Sequence, residues 1–87
     1  MKAPKLDENR CSIIIAEHKT GHVYKKDLTL FQNGDRECDV FLLFDNFNNA
    51  KEFALNFIKN QPEFECSIYN YTGEHLATFD KNGERKW

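Results

Sequence analysis

The residues with which this chain could do chemistry are its three cysteines, its three histidines and one run of alternating acids. Cys11, Cys38 and Cys66 are odd in number and widely spaced, so they match neither a disulfide framework nor a CxxC metal clamp. They are expected as reduced thiols, with Cys66 acting as a small apolar side chain inside a strand. His18 and His22 stand four apart, a spacing with which one helix can hold a metal, but Lys19-Thr20-Gly21 between them reads as a turn. Asp35, Glu37 and Asp39 would share one face of a strand and could offer oxygen ligands to Mg²⁺ or Ca²⁺. The glycine and closing glutamate of an EF-hand loop are missing, so a solvated strand edge that discourages edge-to-edge pairing is the simpler reading. Ser12 and Ser67 lack a nucleophile-elbow sequence, and no glycine-rich phosphate loop occurs. A cysteine meeting His18, His22 or His75 in the fold would make a small thiol enzyme, marked by a thiol of lowered pKa. The expectation is a chain with no catalytic residue, metal or cofactor.

Binding chemistry has more support. In residues 38–44 (CDVFLLF) strand parity puts Val40, Leu42 and Phe44 on one face and Phe41 and Leu43 on the other. Residues 64–71 (FECSIYNY) alternate in the same way, with Phe64, Cys66 and Ile68 opposite Glu65, Ser67, Tyr69 and Tyr71. If a helix covers the first set, then Phe41, Leu43, Tyr69 and Tyr71, joined by Ile14 or its neighbours, form an apolar face where a solvated sheet would be polar. Asp39 and Glu65 are expected on its rim. Such a patch on a small protein marks an interaction surface, and aromatic residues are enriched at interface cores. The alternatives are that the N-terminal arm, the second strand or Trp87 folds over it.

These residues need elements to place them. All four glycines sit in turn-like pairs, Thr20-Gly21, Asn33-Gly34, Thr72-Gly73 and Asn82-Gly83, and Asn-Gly is a strong hairpin signal. Between the turns lie strands at 11–17, 22–32, 38–44, 64–71 and 75–80, with a short piece at 84–87 pairing back across Asn82-Gly83. Residues 46–60 change period. At 100° per residue Phe47, Ala50, Phe53, Ala54, Phe57 and Ile58 fall in one arc, and Leu55 is the one apolar residue well off it. Asp45 or Asn46 supplies an N-cap and Pro62 a stop. The order is β-β-β-α-β-β: an α+β fold with one mostly antiparallel sheet of four to five strands and a single helix on one face. A strand order of 3-2-1-4-5 follows from topology rules. Residues 1–10 read as a flexible arm, and 11–87 as one domain.

The 87 residues carry 12 basic and 14 acidic side chains, and neither half of the chain is a basic patch. That disfavours a broad nucleic-acid surface and an anionic membrane. No apolar run approaches the length of a membrane span, and the polar start has no secretory pattern. With reduced thiols, this points to the cytoplasm. Nine asparagines, nine lysines and eight phenylalanines would suit an AT-rich bacterial or phage genome.

The functional expectation is a small non-catalytic protein-binding module, an inhibitor, an immunity or antitoxin-like protein or a regulatory subunit. It would act on another protein or on a second copy of itself, as a homodimer, through Phe41, Leu43, Tyr69 and Tyr71, with acids steering it to a basic target. The alternative is single-stranded nucleic acid stacked on the same aromatics. The expected Gly- and aromatic-rich motif with its flanking base is missing, since 38–44 carries an acid, Asp39, and no base, and the slightly negative charge also opposes it.

Overall fold

The computed structural model describes residues 5–32, 34–36 and 39–85, the side chain of Arg85 excepted. Cys38, Glu37, Asn33, Trp87 and the first four residues of the expected arm lie outside these. The elements run β1 (Cys11–Glu17), β2 (Val23–Tyr24), β3 (Phe41–Phe44), α1 (Phe47–Asn60), β4 (Phe64–Tyr69), β5 (His75–Asp80) and β6 (Gly83–Arg85). They form one α+β unit, a six-stranded sheet with a single helix packed against it.

β1 is the hub. Its run of β-branched isoleucines suits a strand flanked on both sides. One edge pairs along its length with β4, from Ser12↔Tyr69 to Glu17↔Phe64. The other edge is shared: β3 takes Cys11 to Ile14, and β2 takes Ile15 and Ala16, so β2 and β3 lie end to end. β5 and β6 extend the sheet beyond β4. Every pairing is antiparallel. Because β3 and β4 both oppose β1, they are parallel to each other, and α1 makes the crossover between them.

This corrects the strand order 3-2-1-4-5. The order is β2-β1-β4-β5-β6, with β3 also on β1. The stretch at 22–32 is not one long strand but two paired residues and a single bridge, Tyr24↔Leu30. Among the described residues β2 and β3 pair with β1 and not with each other. Instead, Asp35 closes a local turn, accepting from the Gln32 amide at 2.9 Å and lying 3.4 Å from Lys25 Nζ, so Asp35 does not stand on a strand edge. A second tight turn holds Leu28 at φ 66°, a left-handed conformation that costs about 1–2 kcal/mol in a side-chain-bearing residue. It is fixed by the Asp27 carboxylate, which accepts from both the amide and the hydroxyl of Thr29. Those two bonds also hold the Asp27 carboxyl below its ordinary pKa.

The helix forms where its period indicates. Asn46 caps it, its side-chain oxygen accepting from the Asn49 amide at 2.8 Å. Ala50, Ala54 and Ile58 are buried against the sheet, and the two alanines let the helix approach closely. They meet Cys11, Ile13, Ile15, Phe64, Cys66, Ile68, Ala77 and Phe79. Five rings line the flank of this core: Phe44, Phe53, Phe57, Phe64 and Tyr24 follow one another with centroids 5.0–5.7 Å apart. Leu55, off the stripe, is exposed. Among the described residues no helix is long and apolar enough to cross a membrane.

Candidate functional site

The registers lay out the face away from the helix as a grid. One row runs Leu43, Ser12, Tyr69, His75 across β3, β1, β4 and β5. The next runs Phe41, Ile14, Ser67, Thr78, and a third places Val23, Ala16 and Glu65 side by side. Two of the expected anchors, Leu43 and Tyr69, thus share a row on either side of Ser12. Leu43 is 46% exposed. Tyr69 is half-buried, its hydroxyl pKa pushed up by that burial, and its ring meets His75 edge-on at 5.6 Å.

The other expected residues are placed differently. Phe41 faces outward by parity yet is only 3% exposed, so the chain itself covers it. Val40, expected under the helix, precedes β3 and is buried outside the main core cluster. Tyr71 lies past the end of β4, where the register shift between Ile68 and Tyr69 makes room for Leu76 as an extra residue. There it lines an open depression of about 610 Å³ at the start of α1, with Arg10, Asn46, Phe47, Asn70 and Leu76. The described part of the arm is tied beside it, Leu6 donating to the Tyr71 carbonyl at 2.8 Å. Asp39 sits at the entry to β3, where its carbonyl accepts from the Lys26 amide and its carboxylate lies 3.7 Å from Arg36.

Glu65 belongs to a polar group that the sequence did not suggest. His18 Nδ1 lies 2.9 Å from Glu65 Oε1 and 3.7 Å from Asp80 Oδ2. Ser67 and Thr78 share a hydroxyl hydrogen bond of 2.8 Å, and His75 Nε2 lies 2.8 Å from the same Thr78 oxygen. The alternation of Glu65 with Ser67 and of Thr78 with Asp80 was the available signal, but only the register brings the pairs together. Ser12, fully buried between Leu43 and Tyr69, leaves its hydroxyl without a hydrogen-bond partner.

Neither described cysteine belongs to this face. Burial pushes the Cys11 thiol up, and burial with the charge of Glu65 pushes Cys66 up to about 12. Both stay protonated at neutral pH and are poor nucleophiles there. Among the described residues no three His, Cys, Asp or Glu side chains are grouped as metal ligands.

At the rim of the grid, β3 forms an edge of the sheet. Alternate residues of an antiparallel strand turn their N–H and C=O away from the partner, and among the described residues no strand pairs with that side of Phe41–Phe44. Beside the end of this edge, an open groove of about 310 Å³ runs over Phe44 and the adjoining face of the helix. Phe44 and Phe53, 5.2 Å apart, line it, with Asn49, Glu52 and Asn56.

These features define a small α+β domain with one helix-covered face, one mixed face and an apolar edge. Comparison with known proteins returns no matching family model, no matching curated protein and no matching solved structure.

Proposed function

We propose that this protein is a non-catalytic binding module that occupies a surface of another protein through the β3 edge and the adjoining Leu43–Tyr69 row. The observation that carries the reading is β3 itself. Four apolar residues without a charge stand at the rim of a sheet, and Leu43 projects into solvent. Edge strands ordinarily carry a charge, a proline or a bulge that prevents pairing, and β3 has none of these. Tyr69 adds an aromatic surface of the kind enriched in interface cores. Asp39, Asp45, Glu52 and Glu65 around this region, and a net charge of −2, favour a basic target. An inhibitor, an immunity or antitoxin-like protein or a regulatory subunit would all work by such occlusion. Single-stranded nucleic acid is the weaker reading, because these acids repel phosphates.

The test is affinity capture with the wild type and Leu43→Asp from nuclease-treated and untreated lysate. A stoichiometric protein held by the wild type in both, and lost by a variant of unchanged Tm, supports the reading. Retention by the variant, or recovery only without nuclease, overturns it.

A further inference from the structure

We infer that β3 is completed by an extended segment of the partner protein, in which apolar residues alternate with lysine or arginine. The segment adds to the edge as a further strand and lays one row of side chains in the groove between β3 and α1. This rests on the protein-binding reading above and names the chemistry of the partner.

The backbone supplies the first half of the argument. Strand addition needs a row of unspent N–H and C=O groups next to a place for alternate side chains. β3 offers both. Among the described residues its pairings are all with β1, and no loop or turn hydrogen bond there uses Leu42, Leu43 or Phe44, the stretch left open beyond the covered Phe41. The opposite edge of the sheet is built otherwise. β6 is three residues long and begins with a glycine at φ 102°, followed by Glu84 and Arg85. It carries the charge that blocks pairing, which the similarly short β3 lacks.

The groove supplies the second half. A peptide strand on this edge has every second side chain directed to the helix side of the sheet. There the groove offers the rings of Phe44 and Phe53 for an apolar side chain. Asn49, Glu52 and Asn56 are spaced three and four apart on the helix and form the outer wall. Glu52 lies in that wall and Asp45 follows directly on β3. Neither carboxylate forms an ion pair among the described residues. Lys51 and Lys59 belong to the helix but do not line the groove.

Charge also decides against a second copy as the occupant. Two β3 strands paired about their own centre would bring together two grooves that each carry Glu52, with an Asp45 at both ends of the joint. Like charges so placed oppose association, whereas lysine or arginine on the incoming strand meets them favourably.

The experiment selects short random peptides from a display library on the full chain. The expected winners alternate apolar residues with lysine or arginine. The best one is then synthesised with and without N-methyl groups on the amides that would face β3. N-methylation should weaken binding at least about tenfold, since it removes hydrogen bonds and not side chains. Backbone NMR shifts should fall on Leu42–Phe44 and along Asn49–Asn56. Glu52→Lys, an exposed change, should weaken the peptide by a similar factor. Acidic or helical winners, no enrichment, indifference to N-methylation or shifts elsewhere overturn the inference, as does a dimer of the free chain that the peptide dissolves. If Leu43→Asp still abolishes capture of a partner while the peptide results fail, the binding-module reading stands and only the strand-addition mode is lost.

Discussion

The two faces of the sheet solve burial by different means. Under the helix, Ile13, Ile15, Cys66, Ile68 and Phe79 are almost completely buried, and nothing polar is needed among them. On the opposite face Ser12, Thr78 and Asp80 are buried as deeply, at 0%, 1% and 7% exposure. There Ser67 and His75 both bond to the Thr78 hydroxyl, and the His18 imidazole lies beside the carboxylates of Glu65 and Asp80. The first face gains from area removed from water, which tolerates any apolar shape that fills the space. The second depends on those partners, because a buried polar group left alone costs more than its bond contributes, and Ser12 already stands without one. One face is built to be stable, while the other combines paired polar groups and an unpartnered Ser12 with the exposed Leu43 at its rim.

The largest test of this contrast is Phe79→Ala, which should cost about 3–5 kcal/mol in denaturant unfolding, against less than about 0.5 for Leu43→Ala. Similar costs at the two sites would end the distinction. The second test is alkaline. Below pH 9.0 the Cys66 thiol is protonated in both the folded and the unfolded chain, so it adds no pH dependence. Between 9.0 and about 12 only the unfolded chain releases the proton, so stability should fall as pH rises. The slope from this one group is at most about 1.4 kcal/mol per pH unit. Cys66→Ala should flatten that part of the urea-midpoint profile, whatever its cost at pH 7. Third, Thr78→Val keeps the shape but deprives Ser67 and His75 of their partner, and should cost about 1–3 kcal/mol. A neutral result would mean that the outer network is ornamental. The smallest effect is expected at Ser12. Its hydroxyl is already without a partner, so Ser12→Ala should be neutral or stabilising by up to about 1 kcal/mol.

Much of the fold was legible because it is local. β1 and β5 occupy the stretches 11–17 and 75–80, and α1 begins one residue inside its expected range, since Asn46 is its cap. These elements rest on period, on β-branched residues and on a capping side chain, all of which lie within a few positions. The stretch at 22–32 misled because its turn has no glycine: Leu28 takes the left-handed conformation that Asp27 and Thr29 impose. The strand order was hidden for another reason. One edge of β1 is divided between two strands, and no local pattern announces such a division. Within the candidate site, parity alone put Leu43 and Tyr69 on one face. It could not show that Phe41 is covered, that the irregularity beside Tyr69 diverts Tyr71, or that Glu65 finds His18, because each depends on residues distant in the chain.

The position of β1 has a consequence for synthesis. It emerges among the first elements, but its longest partner, β4, is roughly fifty positions behind it. At about 5–20 residues per second the ribosome needs roughly 2.5–10 seconds to make up that distance. Through this interval the β1 edge that β4 will take is unpaired, and Ile13, Ile14 and Ile15 have only the short β2 and β3 and, toward its end, α1 to shield them. The nascent chain therefore passes through a stage in which its stickiest segment is half-dressed, and a holdase that grips extended apolar stretches would find its best foothold there.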